Sequence, residues 1–322
     1  MRVILITGGT GFIGSNFIKY FIRRNKDFVV INMDNLGPMS NLNNLKELER
    51  SPRYHFVNGS ICNQELVNYV IKRHRPDIII NFAAETNVNK SLANPMIFSQ
   101  TNILGTLTLL ESARYFWGKN NFKGKRFIQL STSQVYGSTY KEDDFFTEES
   151  PISPQNPYAA SKASADLVVK SFYDSYGFPA IIARCCQNYG PFQNTEEFIP
   201  SCIINILNNR DISTKPDVLT KKEWIHVLDN CVGLIRIIFY GKTGEIYNIG
   251  SGYELSNYEI AQELLKLSGK TYDTVKPESN IRCGLNSYKL KNNLKWGVKY
   301  PIAEGLIDTI HWYKSAFLNK NI

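Results

Sequence analysis

The sequence predicts an α/β protein, a doubly wound parallel sheet carrying a smaller mixed α/β lobe. Three observations support this. Short apolar runs alternate with longer amphipathic patterns through the first half of the 322 residues, the mark of repeated βαβ units. A glycine-rich turn joins the first apolar run to the first helical pattern. Past residue 190 the alternation stops, beginning at Gly190-Pro191-Phe192-Gln193-Asn194.

The strand candidates are 2–7, 28–33, 54–58, 77–82, 126–131 and 180–184, separated by helical patterns at 12–24, 63–74, 96–117 and 158–176. The runs are apolar almost throughout instead of alternating, so both faces of the sheet are expected to be covered. Parallel strands require right-handed crossovers, which distribute the helices over the two faces. Helical patterns at 198–209, 227–239, 256–267 and 303–317 complete the chain. The expected division is a nucleotide-binding domain over 1–190, to which 224–250 returns, and an interleaved substrate-binding lobe over 191–322.

Composition narrows the function. Hydrophobic residues make up 43% and charged residues 20%, ordinary for a globular chain. Glycines follow the first apolar run at once, so it reads as a strand and not as a leader peptide, and no run reaches the length of a membrane span. A cytoplasmic protein without a membrane partner is expected. The six cysteines form no CxxC and share no ligand spacing with His55, His74, His226 or His311; reduced thiols and no metal site follow. The net charge of +8 is scattered, with one of the densest basic runs only at 22–26. An anionic small molecule, not a nucleic acid, is the expected partner.

Thr7-Gly8-Gly9-Thr10-Gly11-Phe12-Ile13-Gly14 lies between the first strand and the first helix and satisfies GxGxxG at 9, 11 and 14. Glycines there permit a tight turn and a close backbone approach to a pyrophosphate at a helix N-terminus. Asp34 ends the second strand 20 residues after Gly14. A carboxylate in that place accepts from ribose hydroxyls and repels a 2′-phosphate, so NAD is expected over NADP in a Rossmann-type domain.

A second constellation is Tyr158-Ala159-Ala160-Ser161-Lys162, a YxxxK preceded by Pro154 and Pro157. Spacing of i, i+4 places phenol and ammonium on one helix face, where the cation favours the phenolate and makes it a base for a sugar hydroxyl. Tyr115…Lys119 and Tyr272…Lys276 share the spacing but lack the context and read as structural. The stretch STSQVYG, 131–137, follows an apolar run and crowds hydroxyls and an amide at a strand end, without an acid or base of its own.

TGGTGFIGSNF, NFAAETNVNKSL, STSQVYG, PYAASK, RCCQNYGPFQ, KEWIHVLDNC and YNIGSG, in this order over nearly the whole chain, resemble the extended short-chain dehydrogenase/reductase family. They are most similar to its nucleotide-sugar 4,6-dehydratases. The resemblance implies oxidation at C4 with NAD, deprotonation at C5, loss of the C6 hydroxyl and hydride return to C6, giving a 4-keto-6-deoxy sugar nucleotide. It implies Tyr158 as the base, supported by Lys162, with Thr132 on the sugar O4. Gly8, Gly11, Phe12, Ile13, Gly14, Asp34 and Asn35 would hold NAD, together with Ser60, Ile61, Ala83, Ala84 and the Tyr158–Lys162 pair. Glu85, Thr86, Gln187, Asn188, Lys222 and Arg282 would meet the sugar nucleotide. Helices matching 96–117 and 158–176 pair across a homodimer in the family.

The catalytic loop departs from the pattern. Dehydratases of the group carry Asp and Glu where this chain has Ser133 and Gln134, and an amide is no base. Three readings follow. One is a dehydratase with another C5 base, with UDP-GlcNAc the expected substrate, with or without C5 inversion, ahead of UDP- or dTDP-glucose. The second is an NAD-dependent 4-epimerase, which needs only Thr132, Tyr158, Lys162 and NAD. The third is a non-catalytic protein that binds NAD and a sugar nucleotide.

Overall fold

A computed structural model describes residues 1–141, 144–212, 220–270 and 281–318. β1 (Arg2–Thr7), β2 (Phe28–Asp34), β3 (Tyr54–Asn58), β4 (Ile78–Asn81), β5 (Arg126–Thr132) and β6 (Ala180–Cys185) all occur where apolar runs predict them. They lie in one parallel sheet of order β3-β2-β1-β4-β5-β6-β9. Order reverses on the two sides of β1, which puts a crevice at the strands' carboxyl ends.

The helices α1 (Phe12–Arg24) and α2 (Gln64–His74) follow β1 and β3. The helix predicted over 96–117 forms as one continuous run from residue 95 with a π-helical insertion. α3 (Val88–Ala93) and α4 (Pro95–Phe98) lead into a π-helical stretch, Ser99–Leu104, before α5 (Gly105–Trp117). α6 (Pro157–Tyr176) is a single long helix. Asn156 caps it, its side-chain oxygen accepting from Ala159 N at 2.8 Å, and Pro157 occupies the first turn, where its missing N–H costs nothing.

β7 (Gln187–Tyr189), α7 (Phe198–Leu207), β8 (Lys221–His226), α8 (Val227–Tyr240) and β9 (Ile246–Ile249) come next. β10 (Glu254–Leu255), α9 (Asn257–Leu267), β11 (Arg282–Cys283), α10 (Tyr288–Asn293) and α11 (Ile302–Leu318) complete the order. β9 pairs with β6 at the edge of the large sheet. A smaller mixed sheet forms around β8, with β10 antiparallel to it and β11 and β7 parallel. β7 to β11 are two to six residues long, which leaves little periodicity for a sequence to show.

Three apolar clusters match this plan. One packs α1 and α8 on one face of the large sheet through Phe17, Phe21, Leu234 and Ile238. The second packs α2, α5 and α6 on the other face through Val67, Leu110 and Phe172. The third joins α7, α9 and α11 through Ile203, Leu264 and Leu306. No helix among the described residues is long and apolar enough to cross a membrane.

Candidate active site

A cavity of about 710 Å³ runs along the carboxyl ends of β1, β2, β4, β5 and β6 to the small sheet. At one end lies the glycine turn. Gly8 has φ +67°, and a Cβ there would stand 2.6 Å from Ala83 N; a Cβ on Gly14 would stand 2.4 Å from the Gly8 carbonyl oxygen. Only glycine lets these three segments close so tightly, and the gap they leave is backbone-lined, as a pyrophosphate requires. Gly11, Phe12 and Ile13 line it at the start of α1.

Asp34 is buried at the end of β2. It accepts from Thr10 N at 3.0 Å and Leu36 N at 2.9 Å, and from the Ser40 hydroxyl at 2.8 Å. It thus fixes both neighbouring loops while still lining the cavity. Asn35, Ser60, Ile61, Ala83 and Ala84 line the same end. The cradle of glycines and the carboxylate fit a dinucleotide whose ribose hydroxyls donate.

The middle of the cavity holds Thr132, Ser133, Gln134, Tyr158 and Lys162. Thr132 ends β5, and its hydroxyl accepts from Gln134 N at 3.3 Å, opening a single 3₁₀ turn over Ser133–Tyr136. Tyr158 and Lys162 project from the first two turns of α6, both buried. Burial holds the Tyr158 phenol well above its ordinary range, opposed by a hydrogen bond from Thr132. Burial lowers the Lys162 pKa, and the nearby Asp166 raises it. Lys162 Nζ donates to the Leu130 carbonyl at 2.6 Å. Gln134 accepts from Asn156 Nδ2 at 3.4 Å, so the helix cap also holds the amide.

Glu85 and Thr86 also line the cavity. The Glu85 backbone is clamped at both ends by Asn102, whose Oδ1 accepts from Glu85 N at 2.8 Å while its Nδ2 donates to the Glu85 carbonyl at 3.0 Å. The same Nδ2 reaches Ser161 of α6 at 2.8 Å. Gln187, Asn188 and Lys222 close the far end. Asn188 donates to the Cys186 carbonyl at 2.9 Å, and its Oδ1 is buried without a protein partner.

Arg282 is placed differently from the other expected residues: it is not in the lining. Its guanidinium forms a two-pronged ion pair with Glu254 and stacks over Phe145 at 4.6 Å. Tyr115 and Lys119 lie on the surface as a cation–π pair at 5.8 Å; Tyr272 and Lys276 fall outside the described residues. Asn102 and Asn156 do not stand out as site residues in the sequence because their partners are distant in it or only the fold turns them inward; Glu197, which the family resemblance puts near the sugar, lines the cavity wall. Glu197 precedes α7 but caps none of its amides, and burial raises its pKa against the pull of Lys222.

A parallel dinucleotide sheet with a buried tyrosine–lysine pair at its crevice defines an extended short-chain dehydrogenase/reductase. The chain matches the GDP-mannose 4,6 dehydratase family over residues 5–309 and belongs to it, in the nucleotide-sugar 4,6-dehydratase group. A dTDP-glucose 4,6-dehydratase of Neisseria meningitidis serogroup B is 35% identical, over 97% of this chain and 93% of that one. The dTDP-glucose 4,6-dehydratase of Bacillus anthracis, solved in complex with NAD, superposes with a TM-score of 0.88 at 38% identity, covering 98% and 97% of the two chains. The UDP-glucose 4-epimerase of Thermotoga maritima, solved with UDP-glucose, reaches a TM-score of 0.87 at 26% identity, covering 98% and 100%.

Proposed function

We propose that this chain, an NAD-dependent nucleotide-sugar 4,6-dehydratase, acts on dTDP-glucose. The observation that carries this reading is the full-length likeness to dehydratases named for that substrate, at identities well above the epimerase's. The departures at Ser133 and Gln134 by themselves point to UDP-GlcNAc; the relatives support dTDP-glucose better.

Gly8, Gly11, Gly14 and Asp34 would hold NAD, which would supply reversible hydride acceptance for the oxidation at C4 and the reduction at C6. The rest falls to the chain's own side chains. Tyr158 takes the 4-hydroxyl proton, Lys162 stabilises the phenolate, and Thr132 holds O4. Ser133 lies where relatives carry the acid for the 6-hydroxyl. Gln134 cannot take the C5 proton, which leaves the half-buried wall carboxylates Glu85 and Glu197 for that step. Asn188 and Lys222 meet the diphosphate, with Lys222 supplying charge without a two-pronged grip.

The test is incubation of purified protein with dTDP-glucose, UDP-glucose and UDP-GlcNAc in deuterated buffer, followed by NMR. A 4-keto-6-deoxy product from dTDP-glucose, deuterated at C5, is the expected result. A 4-epimer without C5 exchange, or preference for UDP-GlcNAc, overturns it. Exposed Leu104, Tyr115, Leu167 and Tyr176 on α6 and the helical run ending in α5 favour a homodimer through these helices. Light scattering at the monomer mass removes that assignment.

A further inference from the structure

Below Tyr158 and Lys162, the same face of α6 continues to a third ionisable group, Asp166, four residues on. The chemistry above does not use it. Asp166 is 1% exposed, Arg184 2% and Lys162 5%, three charged side chains buried between α6 and the sheet. Asp166 Oδ2 accepts from Arg184 Nε at 2.9 Å and from the Ser131 hydroxyl at 3.0 Å. Its Oδ1 is buried without a hydrogen-bond partner. Ser131 immediately precedes Thr132, so the carboxylate is tied to the loop that holds the phenol.

Lys162 has a neutral acceptor, the Leu130 carbonyl. A buried ammonium with no anion nearby is driven to give up its proton, and a neutral amine lends a phenolate no positive charge. Asp166 is the carboxylate that opposes this. Burial also disfavours the Asp166 carboxylate, but Arg184 cannot lose its proton. A buried guanidinium left without its anion is the costlier outcome, so the pair stays ionic. Two cations and one anion then leave one uncompensated positive charge, which ionisation of Tyr158 cancels.

We propose that Asp166 is a positioning residue for the oxidation step: backed by Arg184, its carboxylate keeps Lys162 charged beneath the Tyr158 phenol. This rests on the assignment of Tyr158 and Lys162 as the acid–base pair. The other titratable groups around the layer are Cys185 on β6 and Tyr136, whose ring lies 4.8 Å from the Arg184 guanidinium, with Glu148 beyond it, Glu197 across Tyr158, and Lys170, which shares a small cavity with Asp166 and Arg184 but pairs with Asp174. Burial pushes the Cys185 thiol up to about 11 and the Tyr136 phenol up to about 12, so both stay neutral. Asp166 also acts on Tyr158 directly, and in the opposite sense, since its negative charge disfavours a phenolate. At about 1.5 Å of rise per residue, Asp166 is roughly 12 Å along the helix from Tyr158 and Lys162 only about 6 Å. The lysine's charge therefore dominates.

The test follows tyrosinate ultraviolet absorbance of the NAD-loaded protein against pH, with Tyr158→Phe subtracted to isolate one ionisation. Asp166→Asn is expected to move that ionisation up by about one to two pH units. In a Lys162→Met background the same change moves it down, because only the direct repulsion is left to remove. Asp166→Asn/Arg184→Gln, which strands no charge, gives the upward shift again and decides the matter if the single variant fails to fold. An unmoved or lowered ionisation in either variant overturns the proposal, as does an upward shift that persists without Lys162. The readout needs no sugar, so it stands whether or not dTDP-glucose is turned over. An ionisation that Tyr158→Phe does not remove takes down this proposal together with the role of Tyr158.

Discussion

The two halves of the cleft are built on different principles. The dinucleotide half rests on backbone: Gly8 and Gly14 close against Ala83 and each other, where any side chain collides. The carboxyl group there, that of Asp34, is held by three protein donors. The sugar half rests on side-chain identity, drawn from β5, β7, β8, α6 and the segment before α3. There Ser133 and Gln134 stand where the family resemblance implies an acid and a base, and Arg282 is engaged with Glu254. A backbone requirement admits no substitute, whereas a wall of side chains is free to drift with the substrate.

Five perturbations test that contrast. The largest effect is expected from Tyr158→Phe, where the halves meet: turnover falls by about 10²- to 10⁴-fold while NAD stays bound, measured by product NMR and by cofactor release on denaturation. Retention of wild-type turnover would remove Tyr158 from the mechanism. Gly14→Ala sets a methyl against the Gly8 carbonyl oxygen, costing about 1–3 kcal/mol. It should lower both the melting temperature and NAD affinity, read by calorimetry; unchanged binding would show that the turn has slack.

In the sugar half, Gln134→Glu should speed C5 exchange about tenfold, a modest part of what a positioned base supplies. No gain would mean that the proton already leaves through another carboxylate in good geometry. Lys222→Ala should raise KM about tenfold, roughly one charge-assisted contact. Arg282→Ala, whose loss falls on Glu254 and Phe145, should lower the melting temperature and leave KM within about twofold. A larger KM effect at Arg282 than at Lys222 would mean that the arginine leaves Glu254 when substrate binds.

Legibility in the sequence follows the same division. β1 to β6 could be read because strands buried on both faces need continuous apolar runs, and the glycine turn because its spacing is a backbone rule. Tyr158 and Lys162 could be read because i, i+4 is local. Asn102 could not, since its partners Glu85 and Ser161 are 17 and 59 residues away. The Arg282–Glu254 pair was hidden for the same reason, and a positive residue near a diphosphate site in sequence says nothing about which anion it already holds. The run 96–117 was legible as helical but not as interrupted, because an extra residue in a turn leaves the apolar pattern nearly intact.

That interruption has a consequence for how the chain tolerates insertions and deletions. The π stretch at Ser99–Leu104 is one added residue absorbed inside a helix. Removing it would heal the helix into ordinary α geometry, a locally favourable edit. It would also turn everything before the cut by about 100° relative to α5. Asn102 would then lose its grip on Glu85 and Ser161 together. A deletion that improves the helix should therefore spoil the cleft, and the extra residue works as a length gauge for the active site.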